Sequence, residues 1–370
     1  MTCEEARRVE AIKRENMTAL ERYRRQLREN PRLLYLFFEL TDACNLSCLH
    51  CGSGCSPEKR QFLPFDWIRK VLDGVAAAYD PKGIMVCLSG GEPMLHPRFY
   101  EIAKYATSLG FYCGITTNAT MIDSAGAVRL AEAGVQSVSV SLDGLEDTHN
   151  WLRNSETAFD RAVAGIRNMV AFGKKKYCVQ ATTVVHGRNI GQLEEMYPFV
   201  RSLGVNSWRL VNVEPIGRAA GSDGLLLEQD GYLRLLRFIR EKRFDPENPM
   251  EVTFGCSHYV TVPFENMVRK HYFLCGSGIF VASVLVNGDI YSCMDIQRRP
   301  ELVQGNVRKD DFVWVWENRF EAFRQDRTEL CDRCKSCDQR LFCGGDSAHT
   351  WDYDRNEPML CLKEILEKEL

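Results

Sequence analysis

The chain has 370 residues, 45% of them apolar and 26% charged, with a formal net charge of −3. This is the composition of a soluble globular protein, long enough for two domains or one large α/β barrel. The near balance of charge supplies no global attraction to nucleic acid or to an anionic membrane.

Residues 3–29 carry Val9, Ile12, Leu20, Tyr23 and Leu27 at helical spacing, and Asn30-Pro31 ends the run. One amphipathic helix is expected here, packed on the domain that follows. Its basic cluster, Arg22, Arg24, Arg25 and Arg28, is interleaved with glutamates and reads as a solvated face. The start MTCEEARRVEAIKRE lacks the apolar core of a signal peptide, and no apolar run approaches the ~20 residues that span a bilayer. A cytoplasmic protein is therefore expected, with no membrane or nucleic-acid partner. Thiols stay reduced there, so sixteen cysteines point to metal ligation rather than disulfides.

From residue 33 to about 243, strand and helix patterns alternate six times. The strand candidates are LLYLFFEL (33–40), IMVCLS (84–89), FYCGITT (111–117), SVSVSL (137–142), YCVQATTVV (177–185) and SWRLVNV (207–213). Amphipathic stretches lie between them, several ending in Gly. Repeated units of this kind imply a parallel sheet, open or closed into a barrel, and six are short of a full eight. After residue 243 the rhythm changes. VASVLVNGDIYSC reads as a hairpin around Asn287-Gly288, followed by a helical stretch near 314–324, a cysteine-dense loop at 331–343 and a final helix. This half has little regular core and many thiols, so metal is expected to supply part of its stability. The expected organisation is an N-terminal helix (1–32), an α/β domain (33–243) and a small cysteine-rich α+β domain (244–370).

The first two strand ends carry the chemistry. CNLSCLHC sets Cys44, Cys48 and Cys51 just beyond the first strand, at the end of the sheet where α/β domains bind ligands. Thiolates favour iron–sulfur clusters or zinc. Three thiolates on a four-iron cube leave one iron open to a small molecule. A structural zinc would instead recruit His50 or Cys55 as fourth ligand. The second strand ends in Ser89-Gly90-Gly91-Glu92-Pro93 at the same face. Two glycines there let the backbone approach a ligand closely and expose amides to polar groups. A simple thiolate site needs no such loop.

CxxxCxxC followed by GGEP resembles the radical S-adenosylmethionine superfamily, whose partial (β/α)6 barrel matches the six units over about residues 33–243. The resemblance implies a [4Fe–4S] cluster on Cys44, Cys48 and Cys51, whose open iron chelates the amino and carboxylate groups of S-adenosylmethionine. It also implies reductive cleavage of the sulfonium C–S bond and hydrogen abstraction from substrate by a 5′-deoxyadenosyl radical. By the same resemblance Gly90, Gly91 and Glu92 hold the methionine amino group. TTNA (116–119) and SLDG (141–144) resemble the third and fourth strand ends, which makes Asn118, Ser141 and Asp143 candidate ribose or methionine contacts. Arg153 resembles an arginine that contacts the cofactor, and PIGRA (215–219) resembles the loop beside adenine.

Cys275, then twelve residues, Gly288, then four, Cys293 resembles the start of a SPASM-type domain, continued by Cys334-x2-Cys337-x5-Cys343 and Cys361. Such domains carry auxiliary iron–sulfur clusters, commonly two, in enzymes that modify peptides and proteins. This chain departs at Ser347, where a cysteine is expected. The expected sorting puts one cluster on Cys334, Cys337, Cys343 and Cys361. The other takes Cys275, Cys293 and one or both of Cys256 and Cys331, with Asp346 or Ser347 as substitute ligands or an iron left open. A zinc ribbon on Cys331, Cys334, Cys337 and Cys343 is the bland alternative. Cys87, Cys113 and Cys178 read as small buried strand residues. Cys55 lies near the first trio without an assigned part.

The resemblance implies a peptide or protein substrate, matured by cross-linking, epimerisation or oxidation. It also implies a flavodoxin- or ferredoxin-type reductant, and with one helix before the barrel a leader peptide is expected to be read elsewhere or by a separate leader-peptide-binding protein. A sulfatase maturase that forms formylglycine is a second reading. It calls for an acid directly after the hairpin cysteine, whereas Asp295 in Cys293-Met294-Asp295 is displaced by one and would face the other side of a strand. Asp295 stands as the candidate general base. A radical dehydrogenase or cofactor-building enzyme on a small molecule is a third reading, and a non-catalytic zinc or electron-transfer protein is the outsider.

Overall fold

In a computed structural model, which describes residues 3–173, 176–222, 224–255 and 258–366, all six expected strands form and run parallel. They are β1 (Tyr35–Glu39), β2 (Met85–Ser89), β3 (Tyr112–Thr117), β4 (Ser137–Ser141), β5 (Cys178–Val185) and β6 (Ser207–Asn212). Helices cover the outer face between them. Burial alternates along β4, β5 and β6: Val138, Val140, Ala181, Thr183, Trp208 and Leu210 point into the buried layer under the helices. The intervening residues of the same strands face the opposite, inner side of the curved sheet, as the two-residue period demands.

The sheet does not stop at residue 243. A seventh parallel strand, β7 (Glu251–Phe254), pairs with β6. At the other edge β8 (Val281–Val284) pairs parallel with β1, and β9 (Asp289–Tyr291) returns antiparallel through the Asn287-Gly288 turn to meet β10 (Gly305–Asn306). The full order is β10-β9-β8-β1-β2-β3-β4-β5-β6-β7. An unclosed barrel leaves β1 with an open row of backbone donors and acceptors, and the hairpin of the cysteine-rich part covers it. The boundary expected at 243 therefore falls within one continuous sheet.

The N-terminal helix, Cys3–Glu29, corrects two expectations. It docks against the cysteine-rich part rather than the barrel. Its basic residues are also not all solvated, because Arg24 is 4% exposed. The Arg24 guanidinium donates to the carbonyls of Leu341 and Phe342 and, at 2.7 Å, to that of Phe273. Arg28 pairs with Asp326 at 3.0 Å, while Arg22 and Arg25 stay exposed. Cys87 and Cys113 are buried as expected of strand cysteines, but Cys178 opens β5 and is exposed. Among the described residues no helix is long and apolar enough to cross a membrane.

Candidate functional site

The loop after β1 brings Cys44, Cys48 and Cys51 into one small apolar cluster with Leu46, Cys55 and Ala158. Its path is set by backbone bonds. Cys44 N donates to Ser56 O at 3.1 Å, so the chain returns beside its own start and seats Cys55 with the trio. Burial pushes the Cys44 thiol up to about 12. Such a thiol ionises only when a metal supplies positive charge, which is the chemistry of a cluster ligand rather than of a free nucleophile.

The glycines of Gly90-Gly91-Glu92 serve that loop. Gly90 has φ +132°, and a Cβ on it would stand 2.4 Å from Thr41 O. One on Gly91 would stand 2.1 Å from Ala43 O. The Gly91 and Glu92 amides donate to Thr41 O at 2.8 Å and Ala43 O at 2.9 Å. The expectation that these amides are free for a ligand is thus corrected: they are spent on bracing the segment that leads into Cys44. Glu92 is fully buried and accepts from Asn118 N at 2.9 Å, Met94 N at 3.2 Å and Thr117 Oγ1 at 2.9 Å. Burial pushes it up to about 7 despite these donors.

The other strand-end candidates converge on the same loop. Asn118 Nδ2 donates to Asn45 Oδ1 at 2.8 Å, between the first two cysteines. Asp143 accepts from Arg153 Nε at 2.6 Å and from Val184 N at 2.8 Å. Burial alone would raise Asp143, but Arg153, His50 and His149 win and hold it at about 2. Arg153 Nη1 then reaches Cys48 Sγ at 3.6 Å. Ser141 ends β4 half-buried beside this pair. PIGRA also lies against the cysteine loop: Arg218 Nε donates to Cys48 O at 2.7 Å and Nη1 to Cys55 O at 3.0 Å, while a Cβ on Gly217 would meet Cys51 O at 2.5 Å. Arg218 Nη2 and His50 Nδ1 are buried without partners. Unmet donors around an open thiol trio fit an added polar ligand.

The C-terminal thiols sort into two groups. A cavity of about 320 Å³ is lined by Cys334, Cys337, Cys343 and Cys361. Burial raises the Cys343 thiol well above its ordinary value, and Asp346 N donates to Cys343 Sγ at 3.2 Å. Gly344, Gly345 and Asp346 all have positive φ, a turn that returns the Asp346 amide to that sulfur while the Gly344 amide caps the preceding helix on Arg340 O at 2.8 Å. Cys331 hydrogen-bonds Cys334. It lies beside Cys334 but does not line that cavity. Cys275 Sγ accepts from Ala348 N at 3.3 Å, next to Ser347. Ser347 is 1% exposed and its hydroxyl is engaged with Thr350 Oγ1 at 2.7 Å. Cys256 lies outside the described residues. Asp295 is exposed, 4.0 Å from Cys293 Sγ. β9 ends at Tyr291, so Asp295 lies beyond the strand and belongs to neither of its faces.

A buried triad, absent from the sequence reading, joins the two regions. Glu214 follows β6, His258 follows β7 and Asp346 follows Cys343. His258 is fully buried and donates from Nε2 to Glu214 Oε2 at 3.0 Å and from Nδ1 to Asp346 Oδ2 at 2.8 Å. Burial opposes the imidazolium, yet the two carboxylates hold it up to about 10. Glu214 was the legible member, an acid two residues beyond a strand end.

With this geometry in place, comparison with known proteins gives a consistent result. The radical SAM superfamily model matches residues 38–200, and the iron–sulfur cluster-binding SPASM model matches residues 275–338. The AdoMet-dependent heme synthase of Methanosarcina barkeri is 31% identical over 353 residues, covering 89% of this chain and 95% of its own length. The mycofactocin maturase MftC of Mycobacterium tuberculosis is 29% identical, covering 84% of this chain and 77% of its own. Among solved structures, native anSMEcpe with bound AdoMet superposes with a TM-score of 0.70 at 17% identity, over 90% of this chain and 95% of that one. Streptococcus suis SuiB bound to S-adenosylmethionine gives 0.69 at 21% identity, over 85% and 73%. The chain belongs to the radical SAM superfamily, with a SPASM-type C-terminal domain. It is an enzyme that uses S-adenosylmethionine and a [4Fe–4S] cluster, and its C-terminal domain binds iron and sulfide.

Proposed function

We propose that this enzyme oxidises a peptide or protein substrate by hydrogen-atom abstraction, and that clusters held by its C-terminal cysteines would supply the electron acceptor. When bound, S-adenosylmethionine and the first cluster supply the hydrogen-abstracting 5′-deoxyadenosyl radical. Cys44, Cys48 and Cys51 would hold that cluster. Gly90 and Gly91 keep the loop in place by letting two backbones touch. Arg153, fixed by Asp143, brings a positive charge to Cys48, and Glu92 offers a buried carboxylate for the methionine amino group. Cys334, Cys337, Cys343 and Cys361 would hold an auxiliary cluster, with Cys275 and Cys293 in a second. A flavodoxin or ferredoxin would deliver the priming electron.

The observation that carries the oxidative reading is the Glu214–His258–Asp346 triad. It joins Asp346, in the wall of the four-cysteine cavity, through His258 to Glu214 beyond β6, a link that would hold an electron acceptor near that end of the barrel. Loss of a hydrogen atom, then of one electron to the acceptor and one proton to solvent, removes two hydrogens from substrate in all. The peptide class is supported by the mycofactocin maturase relative. A second reading, a tetrapyrrole substrate, is favoured by the heme synthase relative.

The test is anaerobic turnover of the reconstituted enzyme with S-adenosylmethionine and flavodoxin. Candidate peptides encoded beside the gene and an iron porphyrin bearing propionates are compared. A peptide that loses two hydrogens, with 5′-deoxyadenosine rising above the substrate-free rate, supports the first reading. The same signature on the porphyrin alone replaces it with the second.

A further inference from the structure

Arg209 is the third residue of β6 and faces the inner side of the sheet, since Trp208 and Leu210 on either side of it are fully buried in the outer layer. Its strand neighbour across β5 is Thr182. Arg209 Nη2 donates to Ser139 Oγ at 3.3 Å, and Ser139 Oγ meets Thr182 Oγ1 at 2.9 Å. Arg209 Nε is buried with no hydrogen-bond partner. Among the described residues no carboxylate stands within ion-pair distance of this guanidinium, whereas Glu39, at the end of β1, is already paired with Arg298 at 3.0 Å. The guanidinium is only partly buried, but its Nε–H is removed from water with no acceptor, and an unmet buried donor costs free energy. A planar anion accepting from Nε and an Nη together would satisfy both, and carboxylates take guanidinium in that fork geometry.

The level of this group within the barrel matters. Ser139 lies two residues before Ser141, and Cys87, whose thiol feels the Arg209 charge, lies two before Ser89. At ~3.3 Å per strand residue the guanidinium sits roughly 7 Å below the strand ends that carry the cofactor candidates. In the sheet order β6 is separated from β1 by β2, β3, β4 and β5. The Cys44–Cys51 loop belongs to the β1 side, so the methionine end of S-adenosylmethionine and the Arg209 fork approach the inner space from different walls.

We propose that Arg209, supported by Ser139 and Thr182, is a carboxylate receptor on the inner wall of the barrel. It seats an acidic group of the substrate, an Asp or Glu side chain or a C-terminal carboxylate, so that a C–H bond near that group faces the cofactor. The proposal rests on the reading of the protein as a radical enzyme acting on a substrate held inside the barrel.

The test uses the full-length, anaerobically reconstituted enzyme and propionate as probe. Melting temperature is followed as propionate replaces chloride at constant ionic strength, with propionamide as the uncharged control. The wild type is expected to melt higher in propionate than in chloride and to ignore propionamide. Arg209→Met is expected to weaken the propionate response by about tenfold or more, the loss of a charge-assisted pair, and Arg209→Lys to keep part of it. Arg209→Met removes a buried donor that has no acceptor, so it should melt no lower than wild type in chloride. No propionate response in the wild type, or an equal response in Arg209→Met, overturns the proposal. The S-adenosylmethionine affinity of each variant is read from the electron paramagnetic resonance of the reduced cluster. If that affinity falls in step with the propionate response, the anion held is the cofactor's own carboxylate and the proposal is again overturned. Iron content and 5′-deoxyadenosine formation are recorded separately. An enzyme that binds propionate through Arg209 but never cleaves S-adenosylmethionine would fail the functional reading while leaving the receptor intact.

Discussion

His258 donates its Nδ1 proton to Asp346, 88 residues further along the chain, at 2.8 Å, while its Nε2 proton goes to Glu214 at 3.0 Å. Three charges with no exposure to speak of are balanced only as a set, two carboxylates against one imidazolium. Removing the middle one leaves two facing buried anions. His258→Ala should therefore cost about 3–5 kcal/mol in anaerobic urea unfolding. Since Asp346 also carries the amide that meets Cys343, the variant should bind less iron in its C-terminal domain than the wild type. Unchanged unfolding and unchanged iron would show that the triad does not hold the two regions together.

Gly91→Ala is expected to fail at the first cluster alone. A Cβ there would stand 2.1 Å from Ala43 O, and backbone cannot yield as a flexible side chain can. The segment entering Cys44 must move, and the trio with it. The expected result is loss of about four irons per chain with their sulfide, the content of one cubane. The C-terminal complement is retained. Iron and sulfide assays together with Mössbauer spectroscopy distinguish this from general loss.

Much of this was legible from the residues. The six strands declared themselves by alternation, and the trio and GGEP fell at adjacent strand ends because the chain order placed them there. What local pattern does not carry is which distant edge an element will meet. Asn287-Gly288 announces a hairpin, but not that β8 will choose β1. Arg24 sits among exposed charges on its helix, so its burial against Phe273 and Phe342 has no local signature. The same is true of His258 and Asp346, two ordinary polar residues until the fold brings them together, and of Arg209, a partly buried charge on the inner face of a strand. The amides of Gly91 and Glu92 show the converse. The motif was visible, but its local job is to brace a neighbouring loop.

Cys331 provides a clean check on how the C-terminal thiols divide. It hydrogen-bonds Cys334, yet the cavity wall is formed by Cys334, Cys337, Cys343 and Cys361. Cys331→Ser should keep the full iron content, because four thiolates remain around the cavity. Cys343→Ser should lose about four irons, one cubane. If Cys331→Ser loses as much iron as Cys343→Ser, then Cys331 is a ligand and the division between the two groups is wrong.

Glu92 makes cofactor binding depend on pH in a defined direction. Burial lifts its carboxyl from an ordinary value of 4.5 to about 7, so the folded protein holds this proton more tightly than the unfolded chain does. Stability from that proton is complete below about 4.5 and is lost as pH rises through about 7. The N–H groups of an amine held against Glu92 favour the ionised, accepting form, so binding S-adenosylmethionine below pH 7 must expel the carboxyl proton. The dissociation constant should then fall as pH rises toward 7, by at most about tenfold per unit, and level off above it. Titration calorimetry at pH 6 in two buffers of different ionisation heat should register the released proton. In Glu92→Gln the affinity should be weaker at pH 8, and both its slope with pH and its buffer dependence should be smaller than the wild type's by the share of the lost carboxyl. A wild type whose affinity ignores pH across this window, or a Gln variant with the same slope, would mean that the buried carboxylate serves only to join the β2 and β3 loops and that the amino group of the cofactor is held elsewhere.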